Sequence, residues 1–169
     1  MQNPEQSVQQ SIPTAHGEFI AHYTTAGLAK LRFPSKSLHP AVATGPGVSP
    51  QVRRWHQITV RALQNVLAGE AAGRLPPLDF SAGTNFQRAV WSAMLEIRPG
   101  HTLTYGAIAR AIGRPNAVRA VGGACGANPI PVLVPCHRVL AANNKLGGFS
   151  GGLEWKRTLL EREGVKSNS

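Results

Sequence analysis

The amino-acid sequence predicts a mixed α/β protein of the α+β kind. A small sheet-plus-helix region is expected over residues 1–83, followed by a mainly helical region over residues 84–169. Three observations predict it. Two β-rich runs near the start flank a short turn. Two amphipathic helical patterns lie on either side of a Gly- and Pro-rich stretch. Further on, two short helical segments meet at a Gly-containing turn, the pattern of a helix-turn-helix. A chain of 169 residues can bury a substantial core, as one domain or two small ones.

In order along the chain, Met1–His16 is polar and is expected to be loosely attached. Glu18–Tyr23 and Leu28–Phe33 read as strands of a hairpin, with Thr24-Thr25-Ala26-Gly27 as the turn. Pro34–Pro50 has four prolines, two glycines and no period, and reads as a loop. From Val52 to Ala68, residues Val52, Trp55, Ile58, Ala62, Leu63, Val66 and Leu67 recur at helical spacing. Gly73–Gly83, with Pro76-Pro77, is the expected boundary between the two parts. Thr84 or Asn85 then caps a helix whose apolar face is Phe86, Ala89, Val90, Ala93, Met94 and Ile97, ended by Pro99-Gly100. Trp91 reads as packing.

Thr104–Ile112 reads as a short helix capped by Thr104, and Asn116–Ala127 as a second one after the turn Gly113–Asn116. The second helix has almost no bulk over Ala120-Val121-Gly122-Gly123-Ala124. Each glycine costs a helix roughly 1 kcal/mol, so the small face needs a reason. It lets another backbone come close, either the protein's own core or the sugar-phosphate edge of a narrow groove. Asn143–Gly152 holds four glycines and lacks the Lys-Ser/Thr ending of a phosphate loop. Leu153–Glu163 is the last helix, with Leu153, Leu159 and Leu160 apolar and Gly164 as its stop. Glu163 stands at the end where the helix dipole disfavours a carboxylate, which points to a partner such as a histidine.

Charge and cysteines narrow the function. The net charge is +10. Residues 1–83 hold 7 basic and 4 acidic residues, and residues 84–169 hold 11 and 4. The excess in the second part suits a polyanion, of which nucleic acid is the commonest. Cys125 and Cys136 make neither a disulfide framework nor a CxxC pair. No run approaches the roughly 20 apolar residues of a membrane span. Met1–Gln10 carries no apolar signal segment, so the expected compartment is the cytoplasm. Histidines 16, 22, 39 and 56 are scattered and no cysteine precedes Cys125, so no metal site is expected.

The stretch that concentrates chemistry is Pro131-Val132-Leu133-Val134-Pro135-Cys136-His137-Arg138-Val139-Leu140. Val132–Val134 reads as a buried strand that Pro135 ends. A cysteine beside such a run is most often a small buried hydrophobe. The His-Arg pair that follows is not needed by an apolar slot. It predicts a nucleophile whose pKa is lowered by nearby positive charge, with a base in reach.

Pro135-Cys136-His137-Arg138-Val139 resembles the active-site signature of the O6-alkylguanine-DNA alkyltransferases, also called methylated-DNA–protein-cysteine methyltransferases. The likeness extends to Gly83–Trp91, Thr104-Tyr105-Gly106, Arg119–Ala124, Asn128-Pro129 and Ser150-Gly151-Gly152-Leu153, all in order. It covers the second half of the chain. The resemblance implies a ribonuclease-H-like first region and a winged-helix-like second one. It implies irreversible, single-turnover transfer of an alkyl group from O6-alkylguanine to Cys136, without any cofactor, after the base is flipped out of duplex DNA. The implied partner is double-stranded DNA carrying the lesion, met by a monomer. Cooperativity on DNA and activity on O4-alkylthymine stay open.

The resemblance also implies roles. Cys136 attacks, His137 takes its proton through a water, Glu163 orients the imidazolium, and Asn128 braces the turn. Thr104, Tyr105, Arg119, Ala120, Gly122 and Gly123 contact DNA, with Arg119 filling the gap left by the base and Tyr105 assisting the leaving guanine. Val139, Phe149, Ser150 and Lys156 belong to the substrate pocket. Phe149 stands where the family often has tyrosine, Gly126 where a basic residue can occur, and Cys125 is expected to pack. The competing readings are a binding module that only flags damage, an alkylation-sensing transcription regulator, and a thiol hydrolase. For the last, no sign of an oxyanion hole is found.

Overall fold

The computed structural model describes residues 7–36 and 47–168. Three strands, β1 (Val8–Thr14), β2 (Gly17–Tyr23) and β3 (Leu28–Arg32), form an antiparallel sheet in that order. The β2–β3 hairpin matches the expected one. β1 corrects the expectation that Met1–His16 is loosely attached: Val8 pairs with Tyr23 and Thr14 with Gly17, and Ile12 is fully buried. The polar residues around Ile12 hid an edge strand, the one place where Pro13 is tolerated in a sheet. Residues 1–6 of that stretch lie outside the described residues.

Helix α1 (Pro50–Leu67) follows, capped by Ser49, whose hydroxyl accepts from the Val52 N–H, with Pro50 in the first turn. Of the loop expected over Pro34–Pro50, residues 37–46 lie outside the described residues, and Pro50 belongs to the helix. The buried face of α1 is the expected one, with Thr59 in place of half-buried Ile58. Thr59 is accommodated because its hydroxyl donates to the Trp55 carbonyl at 2.8 Å.

Helix α2 (Asn85–Leu95) opens with a full capping box between Thr84 and Gln87. α3 (Tyr105–Ala111) is capped by Thr104, and α4 (Val118–Gly126) completes the helix-turn-helix, starting two residues later than expected. Two-residue strands β4 (Leu103–Thr104) and β5 (Val139–Leu140) pair in parallel. α5 (Leu153–Arg162) ends the fold. Its Leu159 and Leu160 are buried, whereas Leu153 is 42% exposed and does not belong to the apolar face.

Val132–Val134 is not a strand. Val132 has φ 74°, Pro131 and Val134 form a bridge, and the run doubles back as a buried turn. Aliphatic runs of this length do not reveal their conformation by period. The turn delivers Cys136–Arg138 as one turn of 3-10 helix leading into β5.

Among the described residues one large apolar cluster runs from Ile12 and Phe19 of the sheet through Val90, Trp91 and Ile108 to Cys136 and Leu159. The two parts of the sequence therefore share buried contacts. β3 is tied directly to the second part, because the Leu31 N–H donates to the Pro129 carbonyl at 2.9 Å. Among the described residues, no helix is long and apolar enough to cross a membrane.

Trp91, read as packing, also fixes a helix: its Nε1–H donates to the Ala124 carbonyl of α4 at 2.8 Å. Trp91→Phe keeps most of the ring but leaves that carbonyl unpaired. A loss of about 1–3 kcal/mol in denaturant unfolding is expected. A change below about 0.3 kcal/mol would show that the bond does not hold α4.

Candidate active site and nucleic-acid interface

Cys136 is buried, 4% exposed, yet its residue lines a cavity of about 470 Å³. The other walls are Tyr105 of α3, Gly122, Cys125 and Gly126 of α4, and Gly148, Phe149 and Ser150 of the Gly-rich loop. The helix-turn-helix and the loop thus enclose the thiol from two sides. Val139 and Lys156, expected in the pocket, lie behind its wall, both fully buried.

Asn128 shapes the turn. Its Nδ2 donates to the Val134 carbonyl at 2.9 Å, and its Oδ1 accepts from the Ile130 N–H at 3.0 Å. Lys156 joins turn to loop: its Nζ donates to the Val139 carbonyl at 2.7 Å and the Gly148 carbonyl at 3.1 Å. Burial holds the Lys156 ammonium down to about 8, against the pull of the two cysteines. Gly147 allows Tyr105 to approach, because a Cβ there would meet the phenol oxygen at 2.5 Å. Burial raises the Tyr105 phenol above its ordinary range, so it stays protonated at neutral pH.

Behind the thiol lies a buried ion cluster. His137 Nε2 is 3.0 Å from Glu163 Oε1. Arg138 reaches the same carboxylate through Nε at 3.1 and 3.0 Å and Nη2 at 2.7 Å, and donates from Nη1 to the Ile97 carbonyl at 2.6 Å. Burial alone would raise Glu163, but the bonds and charges of His137 and Arg138 bring it down to about 2. Burial lowers His137, with Glu163 opposing, so the ring is neutral at pH 7. A carboxylate at Nε2 assigns the ring proton to that nitrogen and leaves Nδ1 as the acceptor. Among the described residues Nδ1 has no hydrogen-bond partner.

The geometry revises the expected activation of the thiol. Burial pushes the Cys136 thiol up, with the Asn128 side chain and the Lys156 charge pulling it partly back. Arg138, expected to lower it, is directed at Glu163 instead. The resting group is a thiol, so a reaction through its sulfur would have to remove the proton. An arginine embedded in a buried run needs an acid, and that requirement was the available signal for the Arg138–Glu163 pair. Cys125 packs as expected, its sulfur 3.7 Å from the Met94 sulfur, but it also lines the cavity. Its spacing from Gly122 already put it on that face.

The outer face of α4 carries Arg119, Ala120 and Gly123, all exposed. Beyond its chain neighbours and its own helix backbone, a Cβ built on Gly122, Gly123 or Gly126 would meet no atom of the described residues within 4 Å. Packing inside the protein therefore does not require glycine at these three positions, whereas Val121 and Ala124 of the same helix are buried. Thr104 uses its hydroxyl oxygen to accept from the Ala107 N–H at 3.0 Å, which sets the start of α3. Among the described residues, no group of three or more His, Cys, Asp or Glu side chains could hold a metal ion.

Known proteins resemble the chain in this region and beyond it. The family model "6-O-methylguanine DNA methyltransferase, DNA binding domain" matches residues 85–165. A methylated-DNA–protein-cysteine methyltransferase of Saccharomyces cerevisiae is 48% identical over 93 residues, 55% of this chain and 48% of that protein. One from Methanosarcina acetivorans is 52% identical over 96 residues, 55% of this chain and 62% of the relative. The chain spans about half the length of the first of these relatives. Among solved structures, Mycobacterium tuberculosis OGT in complex with DNA is 39% identical. The match covers 92% of this chain and 91% of that one with a TM-score of 0.76. The O6-methylguanine-DNA methyltransferase of Pyrococcus kodakaraensis is 26% identical with a TM-score of 0.60, covering 95% and 100%.

Glu163 ties stability to pH. Its folded pKa, about 2, lies below its ordinary 4.5. Its contribution is full above pH 4.5 and is lost as pH falls toward 2. Glu163→Gln, which strands the Arg138 charge, should cost roughly 3 kcal/mol at pH 7. It should also flatten the acid limb of stability between those two values. An acid limb as steep as the wild type's would contradict the assignment.

Proposed function

Because the chain belongs to the O6-alkylguanine-DNA alkyltransferase family, we propose that it repairs duplex DNA by moving the alkyl group of an O6-alkylguanine onto its own Cys136. The observation that carries this reading is one cavity walled both by the Cys136 residue and by the small-residue helix α4. A DNA-facing helix that is itself a wall of the reactive cavity suits chemistry on a base taken out of the stack. A pure DNA reader needs no thiol there.

In this reading the bare face of α4 enters the minor groove, where little room exists between the strands. The target nucleotide rotates into the cavity at a cost of a few kcal/mol, less for a poorly paired damaged base. Exposed Arg119 fills the gap that is left. Tyr105 crowds the backbone, and its protonated hydroxyl supports the departing guanine. Ala120, Gly122, Gly123 and Thr104 line the contact with DNA. Ser150 and the backbone near Cys136 and Val139 recognise the guanine edge, with Phe149 as an apolar wall.

Cys136 Sγ attacks the alkyl carbon in line, a C–S bond forms as the C–O6 bond breaks, and guanine leaves as an anion that takes up a proton. The thiol proton passes through a water to His137 Nδ1, and Glu163 stabilises the imidazolium. The raised thiol pKa makes this base necessary, because little thiolate exists before attack. Arg138 keeps Glu163 ionised and in place. The thioether product is stable, so each molecule acts once. Residues 1–83 form a supporting domain and residues 84–169 the DNA-binding and acceptor domain, ribonuclease-H-like and winged-helix-like respectively.

Incubation with a duplex containing O6-methylguanine should add a single methyl group in intact-mass spectrometry, and peptide mapping should place it on Cys136. An unchanged mass with DNA binding retained would replace this reading with lesion flagging. Gly123→Ala separates fold from function. It should stabilise the protein by up to about 1 kcal/mol, as expected for an exposed helical glycine. It should weaken duplex binding roughly tenfold, which corresponds to about 1.4 kcal/mol. Unchanged duplex affinity would remove α4 from the interface.

A further inference from the structure

The Gly-rich loop that walls the cavity is held from the opposite half of the chain. Phe33, the residue after β3, stacks edge-on against Phe149 with ring centroids 5.7 Å apart. It also packs against Trp155 of α5 at 5.2 Å and Phe19 of β2 at 5.6 Å. Gly151 lies so close that a Cβ there would come within 2.6 Å of the Phe33 ring. Between these two contacts sits Ser150, a cavity wall with Phe149. Two residues earlier on β3, Leu31 donates to the Pro129 carbonyl of the link that precedes the cysteine turn. β3 and the residue that follows it therefore touch both the link leading to Cys136 and the loop facing it.

We propose that Phe33 is a positioning residue for alkyl transfer: through Phe149 and Gly151 it sets where the cavity wall stands relative to the Cys136 sulfur. This inference rests on the alkyl-transfer reading above. Phe33 is not among the residues that wall the cavity. Its effect falls on the alignment of the bound base, and a misplacement of about 1 Å can cost about 100-fold in rate. Residues 1–83 then tune the reaction as well as supporting the fold. Lys156, which also grips the loop at Gly148, leaves the Phe149–Gly151 segment to be fixed from Phe33's side.

The test compares Phe33→Ala and Phe33→Tyr with the wild type in three measurements. Single-turnover methyl transfer from an O6-methylguanine duplex should fall about 10- to 100-fold in Phe33→Ala, with affinity for the duplex changed less than about twofold. The aromatic Phe33→Tyr should recover most of the rate. Transfer from free O6-methylguanine, which needs no base flipping, should fall in parallel. Reaction of Cys136 with iodoacetamide, which needs no aligned base, should stay within about twofold. Amide exchange at Gly152, whose N–H donates to the Phe149 carbonyl at 3.1 Å, should accelerate in Phe33→Ala while α4 keeps its protection. Wild-type transfer rates in a folded Phe33→Ala would overturn the proposal. So would loss of iodoacetamide reactivity in step with transfer, or unchanged exchange at Gly152. If the wild type itself takes no alkyl group, the functional reading fails, and the exchange arm alone decides whether Phe33 holds the loop.

Discussion

Glu163 sits just past the last turn of α5, where the helix dipole opposes a negative charge, and its side chain is fully buried. It is ionised there because His137 and Arg138 both bond to it. A buried carboxylate is tolerated only when paired and hydrogen-bonded, and this one takes its partners from two consecutive residues of the cysteine turn. Much else follows from that pairing. It pins the turn to α5, selects the tautomer of His137, and removes Arg138 from the thiol's surroundings. The Arg138 bond to the Ile97 carbonyl then extends the same network beyond the end of α2.

This network leaves the cysteine in an apolar, raised-pKa state rather than an activated one. Such a thiol resists stray oxidants and electrophiles, since thiolate character governs both reactions. In the proposed alkyl transfer this group is used once, and there restraint has value. In that reading proton removal is deferred until a substrate carbon lies in line, and the base that accepts the proton is neutral and held in one orientation. The exposed face of α4 has the opposite character. It exposes Arg119, Ala120 and Gly123, and its glycines weaken the helix without being required by packing inside the protein.

Much of this was legible in the sequence, and the reasons differ by element. α1 declared itself through period, and α2 and α3 also through caps, since Thr84 and Thr104 each accept from a first-turn N–H; the Ser49 cap of α1 fell in a stretch read as loop. Glu163 was legible as a carboxylate in the wrong place on a helix. β1 was not, because one buried Ile12 among polar residues makes no pattern. The run Val132–Val134 was misread because burial on all sides erases the difference between strand and turn. Arg138 was read as a charge near the thiol, whereas a buried guanidinium goes where its acid is. Phe33 and Trp91 could be recognised as apolar but not as the side chains that fix a loop and a helix. Their partners, Phe149 and Ala124, are distant in sequence and follow no local rule.

The claim on which the proposed mechanism depends is the protonation state of one imidazole. Nitrogen-15 NMR of the His137 ring in the free protein between pH 6 and 8 tests it most directly. Nε2 should carry the proton and Nδ1 should give the shift of an unprotonated acceptor across the whole range. A protonated Nδ1, or an imidazolium with both nitrogens protonated at pH 7, would contradict the account, because no acceptor for the thiol proton would then exist.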